Sequence, residues 1–247
     1  MVENDTTTQH QPDNEVDVFY YDLDDHAGES RRLYRLLSDD EKQRADRYRF
    51  DVHRHRFISS RGKLREILAQ RGQCQAEDIR FEAGRYGKPC ITAPASLKQL
   101  HFNASASGPT ATVAISAAFP LGFDIEQINY EKARDLDLIV KNQFTIQEQE
   151  WYRRHNPAER VQAFYTLWTC KEAYLKALGL GLSKGLDRFS VNASDNSPTV
   201  THTELEDNEE SALCLYLVDV ADGTAACLAT PEKNCNIRII GFNYNKL

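Results

Sequence analysis

Residues 156–181 constrain the fold more than any other stretch of this 247-residue chain. Asn156 suits a helix cap, Pro157 the first helical position and Glu159 position N3, while Gly179 and Gly181 stop the run, so a helix is predicted over 157–178. Phe164, Leu167, Tyr174 and Leu178 form an apolar stripe along it, and Lys171 falls in the middle of that stripe. A lysine placed there must snorkel or meet an anion, because burying it unpaired is costly. Such a lysine beside Glu172 fits a phosphate-handling site better than a plain amphipathic helix.

Shorter segments surround this helix. Residues 16–23 alternate and are rich in β-formers, which predicts a strand. Ser38 and Glu41 form a capping box that opens a helical region reaching to about residue 70, with a break near Phe50 and Asp51. Strands are predicted at 79–82, 100–104, 111–118 and 123–126, with a turn over 84–89. Helices are predicted at 133–140 and 146–154, then a polar loop over 192–210 and strands at 212–220, 223–229 and 237–242. Helices paired with antiparallel sheets in each half make the chain α+β. Length and Pro120 place a boundary near 119–121, giving an N-terminal tail (1–15), an N-terminal half (16–119) and a C-terminal half (120–247).

Composition removes several classes. Hydrophobic residues are 41% and charged residues 27%, so a disordered or fibrous chain does not fit. No apolar run reaches the roughly 18 residues of a membrane span, and the polar start lacks the apolar core of a secretory signal. The six cysteines are widely spaced without a C-x-x-C pair, which reads as reduced thiols in a cytoplasmic protein, with neither disulfides nor zinc. Within the net charge of −7, residues 31–71 carry 13 Lys and Arg against 6 Asp and Glu, which leaves −14 on the remainder. One basic segment in an acidic chain speaks against general nucleic-acid binding and allows a site for one compact, highly phosphorylated ligand, with a solvated basic helix as the alternative reading.

Asp124 and Glu126 are separated by one residue, so on a strand they share a face while Phe123 and Ile125 turn to a core. Adjacent carboxylates repel unless a cation or proton sits between them, and an all-oxygen set suits Mg²⁺. Trp168, Glu172 and Lys176 stack at i, i+4 and i+8 on one helix face. A cysteine nucleophile at Cys170 lacks a histidine partner, and neither a G-x-S-x-G elbow nor a P-loop is present.

At these residues the sequence resembles the 4′-phosphopantetheinyl transferases of the large, surfactin-type class. Gly122-Phe-Asp124-Ile-Glu126 is similar to that family's G-x-D-x-E, and Trp168-Thr-Cys-Lys171-Glu172-Ala-Tyr-Leu-Lys176 to its W-x-x-K-E-x-x-x-K. Tyr86-Gly-Lys88-Pro89 with Phe102-Asn103-Ala104-Ser105, and the basic segment 38–65, resemble its upstream motifs. The resemblance implies two similar α/β halves in pseudo-twofold relation with the site at their junction. It implies Mg²⁺ (or Mn²⁺) held by Asp124, Glu126 and Glu172, and Lys176 on the phosphates of coenzyme A. Arg44, Arg56 and Lys88 would bind the adenosine 3′-phosphate region, and Ser105 would lie in a coenzyme A loop. The family's usual histidine after that serine is Ala106 here.

The activity so implied is transfer of 4′-phosphopantetheine from coenzyme A to a serine of an apo acyl or peptidyl carrier protein, as in holo-[acyl-carrier-protein] synthases, with release of adenosine 3′,5′-bisphosphate. Glu172 is the first candidate for general base and Glu148 the second. The carrier is expected to meet residues 144–154 around Trp151, and the protein to act as a monomer. The alternative, motivated by Ala106, is a catalytically weakened member that binds coenzyme A or a carrier and regulates.

Overall fold

The computed structural model describes residues 13–24, 28–84, 86–180, 185–193, 197–203, 205 and 213–242. Most of the expected tail lies outside them. The elements run β1 (Glu15–Asp22), α1 (Ser30–Leu36), α2 (Asp39–Asp46), α3 (Asp51–Gly72), β2 (Arg80–Ala83), β3 (Pro89–Ala93), β4 (His101–Ser107), β5 (Thr110–Ser116) and β6 (Gly122–Gln127). They continue with α4 (Ala133–Gln143), α5 (Ile146–Arg154), α6 (Arg160–Leu178), β7 (Phe189–Asn192), β8 (Thr199–Thr203), β9 (Cys214–Leu217), β10 (Thr224–Thr230) and β11 (Asn236–Gly241). No described helix is long and apolar enough to cross a membrane.

Two sheets carry the architecture: β11-β1-β5-β4 and β6-β10-β9. β2-β3 and β7-β8 are separate hairpins. The long helix α3 packs on the first sheet through Leu64, Ile67 and Leu68, which meet Phe19, Phe102 and Val113. Helix α6 covers the second through Phe164, Leu167 and Cys170, which join Phe144, Phe189 and Cys227. A third core belongs to both sheets: Val16, Val18 and Ala114 pack with Phe123, Ile125, Ala226 and Leu228. The two halves are therefore fused along a common apolar layer.

Several elements differ from expectation. β11 pairs parallel with β1, so the last strand of the chain belongs to the first sheet and a boundary at 119/120 does not separate the sheets. Buried Asp17 of β1 accepts from Arg238 of β11 (Nε to Oδ1, 2.7 Å) and pairs with Arg71 of α3, which ties the strand to its partner and its helix. Helix α6 begins at Arg160, because Asn156 Oδ1 accepts from the N–H groups of Ala158 and Glu159 (3.1 Å each) in a preceding turn. The expected loop over 192–210 instead contains β8, hydrogen-bonded to β7; residues 194–196, 204 and 206–210 lie outside the described part.

Local rules hold elsewhere. Ser38 and Glu41 form the capping box of α2, and Glu41 Oε2 accepts from the Ser38 N–H at 3.0 Å. The same carboxylate meets Arg61 and Arg65, so the cap anchors α2 to α3. Gly122 lets α6 lie directly on the start of β6: a Cβ there would stand 2.0 Å from Ala173 O and 2.3 Å from Ala177 N.

Candidate active site

The first sheet ends at β4 and the second at β6, and these two edge strands face each other. Their seam is bridged by side chains. Asn103 Oδ1 accepts from Phe123 N at 2.8 Å, Ser105 Oγ donates to Asp124 Oδ1 at 2.8 Å, and Ser107 Oγ donates to Glu126 Oε2 at 2.6 Å. Asn103, Ser105 and Ser107 follow at i, i+2 and i+4, so the pleat aims all three across the seam.

On β6 the same alternation buries Phe123 and Ile125 completely and turns Asp124 and Glu126 to the other face. Helix α6 brings Glu172 and Lys176 to them. Lys176 Nζ lies 2.5 Å from Asp124 Oδ1, 3.1 Å from Ser105 Oγ and 3.7 Å from Glu172 Oε2. Trp168 lies one turn before Glu172 and is partly buried against the core of the second sheet. The face expected from i, i+4, i+8 spacing is thus joined to the strand carboxylates.

The electrostatics follow from burial and crowding. Desolvation pushes the Glu172 carboxyl up to about 7; Asp124 and Glu126 push the same way, and Lys176 opposes them. Asp124 and Glu126 are also raised, again first by desolvation. Asp124 is 1% exposed, and its Oδ2 has no hydrogen-bond partner. A buried carboxylate oxygen without a partner is costly. Together with the neighbouring carboxylates it makes an all-oxygen donor set that fits a hard divalent cation such as Mg²⁺. Among the described residues no group of three His, Cys, Asp or Glu side chains already surrounds a metal position. The Lys176 ammonium stands among the carboxylates as their counter-charge, so metal binding requires that lysine to shift.

Other candidates have different surroundings. Lys171 is wholly buried, with Nζ donating to Glu148 Oε1 and to Phe189 O, each at 2.5 Å. Glu148 Oε1 also accepts from Val191 N and its Oε2 from Thr145 N, both at 2.8 Å. The pair is a structural rivet between α6, α5 and β7. Consecutive helical residues point about 100° apart, so Lys171 turns into the core while Glu172 turns to the site. Lys171, expected to handle phosphate, and Glu148, expected as the second candidate base, are here paired with each other inside the core.

Lys88 is drawn behind the site, where Nζ donates to Leu121 O and Lys176 O at 2.8 Å each, and burial lowers its pKa. Arg56 makes a two-point pair with Asp24 (2.7 and 2.6 Å), and exposed Arg44 lies over the Phe57 ring. Ser105 sits in β4 rather than in a loop. Ala106 is exposed and pairs with Ala111, on the face opposite Ser105 and Ser107. Cys170 is fully buried and contacts Cys227, whose thiol burial raises, which agrees with the absence of a cysteine nucleophile.

Sequence reasoning missed Asn103 and Ser107, although their alternation with Ser105 was the available signal. It also did not foresee a groove of about 400 Å³ lined by Leu138, Ile139, Asn142, Gln143, Trp168 and Leu186, between α4 and α6.

Fold and site together define an α+β protein of two fused sheets whose junction gathers three carboxylates and a lysine, a constellation suited to diphosphate chemistry. The sequence comparisons make the class specific. The 4′-phosphopantetheinyl transferase superfamily profile matches residues 120–229, and the profile for the N-terminal part of 4′-phosphopantetheinyl transferases matches residues 26–118. The chain is 32% identical to the 4′-phosphopantetheinyl transferase HetI of Nostoc sp. over 77% of this chain and 79% of that one. It is 30% identical to the 4′-phosphopantetheinyl transferase Sfp of Bacillus subtilis over 87% of this chain and 92% of that one. The chain belongs to the 4′-phosphopantetheinyl transferase family, in its Sfp-type branch.

Proposed function

We propose that the protein transfers 4′-phosphopantetheine from coenzyme A to a serine hydroxyl of an apo acyl or peptidyl carrier protein, with Mg²⁺ dependence and release of adenosine 3′,5′-bisphosphate. The observation that carries this reading is the convergence of Asp124, Glu126 and Glu172 on Lys176, with Asp124 Oδ2 buried and unpartnered. Phosphoryl transfer is promoted mainly by positioning and charge stabilisation, which is what such a cluster offers.

Asp124, Glu126 and Glu172 would hold the metal, which supplies Lewis-acid stabilisation of the diphosphate when bound. Lys176 moves its ammonium from Asp124 to the phosphate oxygens and neutralises charge on the bridging oxygen as it becomes the leaving group. Glu172 is the group placed to receive the serine proton, directly or through a water, and its ligation of the metal lowers its basicity in that role. The serine oxygen forms the new bond to the β-phosphorus, and the bond from that phosphorus to the bridging oxygen breaks. The basic segment of α1 to α3 supplies cations for the nucleotide phosphates. There Arg31, Arg35, Arg54 and His55 line a groove of about 550 Å³.

The carrier surface is proposed on α4 and α5. Trp151 is half-buried against His155 and Phe144 is fully covered, whereas Leu138 (63%) and Ile146 (69%) are exposed. These two, rather than Trp151, supply the apolar contact, and the protein works as a cytoplasmic monomer. The test is incubation with coenzyme A, Mg²⁺ and a panel of apo-carriers, read by carrier mass. A phosphopantetheine increment that disappears with EDTA is expected; unmodified carriers throughout the panel would refute the activity.

A further inference from the structure

We infer that Ser107 is a positioning residue that orients the Glu126 carboxylate for the divalent cation, an inference that rests on the metal reading above. Its hydroxyl donates to Glu126 Oε2 at 2.6 Å and accepts from Gln127 N–H at 3.0 Å. A hydroxyl has one proton to give, and the bond from Gln127 leaves that proton aimed at the carboxylate. Ser107, on a strand of the other sheet, thereby fixes the direction of a carboxylate on β6.

The seam is built to keep this distance short. Gly108, directly after Ser107, has φ +59°, and a Cβ there would stand 2.0 Å from Gln127 Oε1. The β4–β5 turn beside the end of β6 uses the left-handed backbone that glycine adopts at no steric cost, and the atoms nearest its missing Cβ belong to the movable Gln127 side chain. Ser107 differs from its neighbours in the ladder. Asn103 bonds backbone, and Ser105 also bonds Lys176, whereas the side-chain partner of Ser107 is Glu126. Groups that orient metal ligands typically change metal affinity 10–100-fold when removed.

The experiment compares wild type, Ser107→Ala and Ser107→Thr by electron paramagnetic resonance titration with Mn²⁺, which reads free ion directly and needs no turnover. Thermal unfolding is followed in EDTA on the same samples. Ser107→Ala is expected to weaken Mn²⁺ binding about tenfold, with Ser107→Thr within about threefold of wild type and the metal-free unfolding temperatures nearly equal. Unchanged Mn²⁺ affinity in Ser107→Ala overturns the inference. So does weakened binding that Thr does not restore and that accompanies a large loss of metal-free stability, the pattern of a purely structural serine. Absence of Mn²⁺ binding by the wild type would instead sink the metal reading itself.

Discussion

Replacing Lys171 by methionine tests whether the Lys-Glu step of α6 divides into a structural and a functional residue. Lys171 has no exposed surface and Glu148 is 2% exposed, so removal of the ammonium, which lies over the rings of Phe144 and Phe189, leaves a buried carboxylate without its counter-charge. Breaking a buried ion pair from one side costs about 3–5 kcal/mol, because the remaining charge has no solvent to turn to. The two N–H bonds from Val191 and Thr145 still reach Glu148, which favours the lower part of that range. For a chain of this size each kcal/mol lowers the unfolding temperature by roughly 2–4 °C, so a fall of about 6–12 °C is expected. The double variant Lys171→Met/Glu148→Gln removes the pair together and is expected to recover at least half of the loss. Urea unfolding by circular dichroism gives the free energies, and carrier mass assays below the unfolding transition give turnover. A cost under about 1 kcal/mol for Lys171→Met would refute the rivet. Glu148→Gln with wild-type stability but abolished turnover would return Glu148 to the chemistry.

Gly122→Ala forces α6 off β6, since the new methyl would overlap Ala173 O and Ala177 N; a loss of about 3 kcal/mol in urea unfolding is expected, and wild-type stability would contradict the close approach. Burial raises the Glu41 carboxyl, but Arg61 and Arg65 outweigh it and hold it below its ordinary 4.5. Its stabilisation is thus present above pH 4.5 and lost as pH falls through the lower folded value, so Glu41→Gln should be less stable than wild type at pH 7, with the gap closing in acid. A gap independent of pH would remove the ionic explanation. Mg²⁺ is expected to raise the unfolding temperature of the wild type and not that of Asp124→Asn, since the buried amide offers a weaker ligand; an equal shift in both would place the metal elsewhere. Ile146→Asp should raise carrier KM at least several-fold while KM for coenzyme A stays constant, and an unchanged carrier KM would move the docking surface away from α5.

What the sequence disclosed was governed by local periodicity. Asp124 and Glu126 face one way because strand side chains alternate, and Glu172 and Lys176 align because helical residues four apart do; neither inference needed a distant partner. The capping box at Ser38 is local in the same sense. The features that stayed hidden all depend on contacts across long separations. Nothing near residue 238 indicates that β11 will lie beside β1, because the pairing is fixed by Asp17, Arg71 and a core layer shared by both sheets. The anion for Lys171 lies 23 residues away in α5, so a lysine in an apolar stripe could not by itself distinguish a rivet from a ligand. The hairpin of β7 and β8 stayed hidden because its strands are only four and five residues long, so the alternation of Phe189 to Asn192 is too brief to stand out in a polar stretch.

The site itself explains why the seam is made from side chains instead of a continuous backbone ladder. Had β4 and β6 paired through their main chains, the two sheets would form one, with Asp124 and Glu126 projecting from an unbroken surface. Joined through Asn103, Ser105 and Ser107, the edges leave room between them for carboxylates to converge with α6. That arrangement is electrostatically unfavourable by itself: the Glu172 carboxyl near 7 and the unpartnered Asp124 oxygen both record charge the fold would rather neutralise. Lys176 supplies one compensating charge against three carboxylates. The remaining imbalance is tolerated because the shared core and the close packing at Gly122 hold strand and helix together without help from the site. A scaffold stable enough to keep like charges near one another is also one that favours any ligand carrying the missing positive charge. In the proposed metal site, attraction for a divalent cation would belong to the seam as a whole, and weakening any strut that holds a carboxylate in place is expected to lower it.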